Sequence, residues 1–257
     1  MTKTELLISE IFCMSFKHLT KELQVLKDPV GAKSSAGFFK TGKGQYGEGD
    51  VFLGISVPNT RKLAKKYQNL PLTDLKKLLQ SKYHEYRLTA LHILVSQYRK
   101  GGPQEQKALF EFYCRMLPRI NNWDLVDTSA RPIVGEYLYA YKTEKQAMQV
   151  LTKMARSQNL WERRVATVSA WAFSMRQNPT PVFTLTELLL HDTEDLMHKA
   201  CGWMLREVGK QCGENILTDF LNVHASMLPR TTLRYAIEHY SPQQRQLFLA
   251  QKRIISK

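Results

Sequence analysis

Residues 84–100 read "HEYRLTALHILVSQYRK", and the spacing of their apolar side chains decides the fold class. Leu88, Leu91, Val95 and Tyr98 stand three or four apart, which gathers them onto one face of an α-helix. The same spacing recurs in "LTDLKKLLQS" (72–81), "PQEQKALFEFYCRML" (103–117) and "EKQAMQVLTKMARS" (144–157). Breaks fall at Gly101-Gly102-Pro103, Asn178-Pro179, Gly213 and Leu228-Pro229, residues that end helices. No segment alternates as a strand would. Small residues recur at Ala90, Ala130, Ala166, Cys201 and Ala236, at intervals of 40, 36, 35 and 35. Each lies in a helix preceded by another helix. That period suits stacked helical pairs, with the small residue letting paired helices approach closely. The expectation is all-α: a HEAT-like, armadillo-type helical-repeat solenoid with a concave basic groove. It forms a single domain over 1–257, with an N-terminal helix (1–26), a Gly/Lys-rich loop (27–50) and helical repeats (51–251).

The chain carries 37 Lys and Arg against 23 Asp and Glu, a formal charge of +14. Such a field attracts polyanions and contributes a sequence-independent term to nucleic-acid binding. The N-terminal "MTKTELLISEIFCMSFKHL" is interrupted by Glu5 and Glu10 and reads as an amphipathic helix rather than a signal peptide. No apolar run approaches the roughly 18–20 residues a membrane span requires. A cytoplasmic monomer with no membrane partner is expected. Cys13, Cys114, Cys201 and Cys212 are scattered, and no Cys/His cluster has zinc-like spacing. Reduced, mostly buried thiols and no metal are expected.

Segment 27–50, "KDPVGAKSSAGFFKTGKGQYGEGD", contains a near match to a phosphate-binding loop: Gly37, four residues, then Gly42-Lys43. Gly44 stands where a Ser or Thr would hold magnesium, and no apolar strand precedes it, so a nucleotide site is rejected. A basic loop touching phosphates is compatible with it.

Two positions before the recurring small residues stand Leu88, Thr128, Arg164, Lys199 and Arg234. The last three repeats thus place a cation at equivalent sites, which suits a line of phosphates. In "HKACGWMLREVGK" (198–210), Lys199, Trp203 and Arg206 share a helical face. Gly202 beside the indole costs about 1 kcal/mol relative to Ala in a helix, which hints at a close approach. The alternative is that Trp203 is core and Gly202 a helix-packing contact. In "NNWDLVD" (121–127), Trp123 and Asp127 stand four apart on one face. Asp127 either pairs with Arg131 or meets a positive target such as an alkylated base or a developing sugar cation. Indole faces also attract cations.

"NNWDLVDTSARPIVGEYL" (121–138), "LWERRVA" (160–166), "HKACGWMLREVGK" and "FLGISVPNTRKLAKKY" (52–67) resemble, in the same order, the AlkD-type DNA glycosylases, which are HEAT-like DNA alkylation repair proteins. The resemblance runs from about residue 38 to about 248. It implies hydrolysis of the N-glycosidic bond of cationic N3- and N7-alkylated purines in double-stranded DNA, without a cofactor. Its catalytic Trp, Asp, Arg and Trp correspond to Trp123, Asp127, Arg164 and Trp203, and a DNA-contacting Arg corresponds to Arg61. Lys199, Arg206 and Arg234 are the further expected DNA contacts. The rival reading is a non-catalytic HEAT-like module that binds DNA or protein.

Overall fold

The structure, a computed structural model, describes residues 16–251. Residues 1–15 of the expected N-terminal helix, with Cys13, lie outside the described residues. The chain divides into two compact units, 1–129 and 130–257. The described residues are helical apart from connecting turns, and the single β-type pairing is an isolated bridge between Val51 and Tyr83. Among the described residues no helix is long and apolar enough to cross a membrane.

The first unit comprises α1 (residues 16–25), α2 (Pro29–Phe38), α3 (Val57–Lys66), α4 (Leu72–Leu79), α5 (His84–Lys100), α6 (Pro103–Met116) and α7 (Trp123–Ser129). Helix α5 is its axis. Ala90, Leu91, Ile93 and Leu94 are fully buried, and α3, α4 and α7 pack around it. Proline supplies the first turn of α2, α3 and α6, where its missing N–H has no helical partner to lose.

The second unit opens with a π-helical turn, Ala130–Gly135. Pro132 within it has no N–H for the carbonyl four residues back, which favours the wider turn there. Then follow α8 (Glu136–Tyr141), α9 (Glu144–Ala155), α10 (Leu160–Ser169), α11 (Trp171–Ser174), α12 (Thr180–Leu188), α13 (Asp195–Gln211), α14 (Glu214–His224), α15 (Arg230–Ala236) and α16 (Pro242–Ala250). Helix α9 starts in a reciprocal cap: Thr143 Oγ1 accepts from the Gln146 amide while Gln146 Oε1 accepts from the Thr143 amide. Helix α13 is the axis here, packed by α10, α12, α14 and α15.

The sequence pattern holds at the level of helix pairs. Every expected break falls at a helix end. The five recurring small residues are all buried, the most exposed of them, Cys201, at 4%. Segment 27–50 differs from the expected loop. Its first part is α2, begun by Asp28, whose carboxylate accepts from the Val30 amide, and by Pro29. Only the stretch after Phe38 is irregular.

Candidate functional site

Helices α3, α5 and α7 of the first unit line a cleft of about 730 Å³. Arg61 and Lys65, one turn apart on α3, supply two of its cations. Arg99 and Lys100, in the last turn of α5, supply two more. From α7 come Trp123 and Asp127, also one turn apart. Three residues expected from the sequence, Arg61, Trp123 and Asp127, therefore meet in one cavity. Lys65, Arg99 and Lys100 are the additions that sequence reading missed.

The way α7 is held accounts for the rest of "NNWDLVD". Asp124, beside the indole, also lines the cleft, and one of its carboxylate oxygens turns to the interior. Its Oδ2 lies 2.9 Å from His84 Nε2, and the other ring nitrogen of His84 lies 3.1 Å from Asp50 Oδ2. Asp50 also accepts from the Arg87 guanidinium and, at 3.0 Å, from the Asn122 amide. Arg87 donates in turn to Asn121 Oδ1. Burial alone would depress the His84 pKa, but hydrogen bonds to Asp124 and Asp50 outweigh it and hold the ring above its ordinary value. Burial likewise opposes ionisation of Asp50, and His84 and Arg87 overcome it, holding that carboxyl below its usual range. Two carboxyl groups thus meet an imidazole and a guanidinium across short hydrogen bonds, the kind of pairing that buried ionisable groups require.

The segment after α2 closes over Trp123. Phe39 stacks on the indole with ring centres 5.1 Å apart, and Phe38 meets it edge-on at 5.9 Å. The indole N–H donates to Tyr46 Oη at 3.2 Å. Two backbone amides of the rejected nucleotide loop are already engaged: Gly42 donates to Gln45 and Gly44 to Glu48.

His92 also lines the cleft. Burial, and secondarily the Arg61 cation, push its pKa down to about 4, and its buried Nε2 has no hydrogen-bond partner among the described residues. The thiols carry no such promise. Burial raises Cys114 to about 11 and Cys201 to about 12, so neither is a thiolate near neutral pH.

In the second unit the expected contacts have individual environments. Arg164 is only 5% exposed, and its guanidinium donates to the Leu196 carbonyl at 2.6 Å. Lys199 pairs with Asp195 at 2.8 Å. Arg206 pairs with Glu238 and lies 4.0 Å from Glu207. Arg234 is exposed. The equivalent positions in the repeats are therefore not a uniform row of surface cations: Leu88 and Arg164 are buried, Lys199 carries an acidic partner and Arg234 is exposed. Trp203 is half-buried, donates to Glu207 at 3.3 Å and meets Trp171 edge-on. Gly202 faces α15, where an added Cβ would lie 2.5 Å from the Thr232 carbonyl oxygen and from Tyr235 Cβ. The close approach that its cost announced is helix packing. Arg131 bonds Glu136 at 3.2 Å and lies over the Trp171 ring.

A family model described as "DNA alkylation repair enzyme" matches residues 19–240. A solved structure described as a predicted DNA alkylation repair enzyme from Enterococcus faecalis superposes with a TM-score of 0.64 at 19% identity. It covers 84% of this chain and 97% of its own. At that identity the likeness speaks for the fold. No curated protein matches the chain.

Proposed function

Because the chain belongs to the DNA alkylation repair enzyme family, we propose that it is a DNA glycosylase. It would hydrolyse the N-glycosidic bond of N3- and N7-alkylated purines in duplex DNA. The observation that carries this reading is the company Asp127 keeps: a carboxylate and an indole one helical turn apart in a cleft with four cations. A phosphate-binding surface gains nothing from a carboxylate, which the ligand repels. A reaction centre that becomes positive does.

Alkylation at N3 or N7 makes the purine cationic, so it departs as a neutral base and needs no acid to protonate it. The sugar left behind develops oxocarbenium character. Asp127 stabilises that charge and orients the attacking water, and its position on a braced helix is electrostatic preorganisation. Trp123 meets the cationic nucleotide with its ring. Arg61, Lys65, Arg99 and Lys100 bind phosphates and position the strand without reading sequence. Trp203 and Arg164, in the second unit, are assigned sugar and phosphate contacts on the strength of the sequence resemblance. No metal or cofactor enters this scheme.

The test is release of N7-methylguanine from duplex DNA. Asp127→Asn keeps the shape and removes the charge. It is expected to lower release by at least about 100-fold, the scale seen when one charge-stabilising group is removed, while duplex affinity holds. Unchanged release would remove Asp127 from the reaction. Duplex binding with no release by the native protein would favour the non-catalytic module.

A further inference from the structure

The segment between α2 and α3 has a shape that a connecting loop does not require. It takes hold of Trp123 by two different handles. Phe39 covers one face of the indole, the two rings 22° from parallel. Tyr46 accepts from the indole N–H, and its own hydroxyl lies 3.4 Å from the Phe38 carbonyl, so the ring is tied to the end of α2. A stacked neighbour fixes the ring's plane. A hydrogen bond at Nε1 fixes its rotation within that plane.

Both handles are themselves anchored. Phe39 stacks on Phe52 at 4.9 Å, and Phe52 stacks on buried His84 at 4.5 Å. Tyr46 is placed by the turn that follows it, where the Gly47 amide donates to the Lys40 carbonyl at 3.1 Å. Only glycine fits there, because a Cβ at 47 would lie 2.2 Å from the Phe39 carbonyl oxygen. At its far end the segment runs into Asp50, inside the charge network that braces α7. The segment thus reaches the indole and the helix carrying it from separate directions.

We propose that Phe39 and Tyr46 form a clamp that positions Trp123, committing one indole face to the protein so that the remaining face is offered to the damaged nucleotide. This rests on the glycosylase reading of the cleft. Neither residue touches substrate; both act through Trp123. Productive geometry of such groups must be held to within about 10–20°. A tryptophan free to turn about its side-chain bonds exceeds that range.

Tyr46→Phe is the discriminating variant, since it deletes one hydroxyl and keeps the ring. The four tryptophans are labelled with 5-fluorotryptophan, and the Trp123 resonance is identified by its loss in Trp123→Phe. In Tyr46→Phe the Trp123 signal is expected to shift and broaden while the other three hold. With N7-methylguanine duplex, kcat is expected to fall about tenfold. KM, undamaged-duplex affinity and melting temperature should stay within twofold or a few degrees of native. A merely structural role would lower the melting temperature and leave the kcat of the folded fraction intact. An unchanged fluorine spectrum overturns the clamp, as does a changed spectrum with native kcat. If the native protein releases no base, the glycosylase reading fails separately, and the fluorine spectrum still decides whether the ring is held. Phe39→Leu supplies a second case. A Trp123 signal as sharp as native in that folded variant would also count against the proposal.

Discussion

His92 gives the most quantitative handle on the cleft. Its ring is kept neutral by burial and by the Arg61 cation beside it, with the Asp124 carboxylate pulling weakly the other way. Folded, it takes a proton near pH 4; unfolded, near the ordinary 6.5. Between those values the unfolded chain holds more protons, so stability falls as pH drops through that window and is fully present above it. A gap of about 2.5 pH units corresponds to at most about 3 kcal/mol, with about 2 kcal/mol of it lost by pH 4.5. Urea unfolding of the native protein and of His92→Leu, at pH 7.5, 6.5, 5.5 and 4.5, reads this directly. Leucine fills similar space and cannot titrate. The native curve should fall relative to the variant by about 2 kcal/mol between pH 6.5 and 4.5. His84, raised rather than lowered, contributes in the opposite sense: its stability is present below about 6.5 and lost as pH rises beyond it. That contribution is common to both proteins and cancels in the difference. Arg61→Ala should shrink the His92 effect without abolishing it, because burial is the larger cause. Parallel native and His92→Leu curves across the whole range would refute the account of a buried, neutral ring.

Duplex affinity should fall steeply with salt. If all four cleft cations meet phosphates, the log–log slope is steeper than about −3 and Arg99→Ala reduces it by about 1; a flat response would point to a protein partner. Gly202→Ala should destabilise by about 1–3 kcal/mol, measured by urea unfolding, because α13 and α15 leave no room for a methyl group. Native stability in that variant would mean the two helices can separate freely. Arg164→Ala should cost about 1–3 kcal/mol through the lost charge-assisted hydrogen bond to the Leu196 carbonyl, seen as a lower melting temperature. Unaltered melting with reduced base release would restore it to a purely DNA-facing role.

Helices, their breaks and the small-residue period were legible because they depend on local pattern: an apolar stripe, a Pro, a Gly. So was the pairing of Trp123 with Asp127, since four residues on a helix make one face. Helix α2 was hidden by Gly31, Ser34, Ser35 and Gly37, poor helix formers, although Asp28-Pro29 marked its start. Lys65, Arg99 and Lys100 could not be singled out among 37 cationic residues. Which side of α3 and α5 turns to the cleft is settled by how α7 docks, not by either helix's own sequence. The reverse error befell the repeat positions. Arg164 occupies the same place in its repeat as Lys199, yet one is buried against a backbone carbonyl and the other lies at the surface. Sequence equivalence fixed the register and left the environment open. His84 and Asp50 stand 34 residues apart, and no local pattern announces that two such groups will meet Asp124 in the interior.

That meeting explains how a seven-residue helix could carry the chemistry proposed for it. Helix α7 spans barely two turns and holds little shape by itself, because so short a helix is marginal without tertiary contacts. A side-chain carboxylate rides about 6 Å from a helix axis. A roll of only 20° would therefore carry Asp127 about 2 Å, well beyond the roughly 0.5 Å that a working site tolerates. Leu125 and Val126, fully buried, oppose such a roll, but apolar contacts are non-directional and yield to repacking. Asp124 opposes it through its hydrogen bond to His84 Nε2, which has direction. To turn α7, the Asp124 carboxylate must leave His84 and strand a buried ring nitrogen, a loss of about 1–3 kcal/mol. The second carboxylate of "NNWDLVD" is thus the brace for the first. Its interior partners, Asp50, His84 and Arg87, contribute to the cleft without lining it.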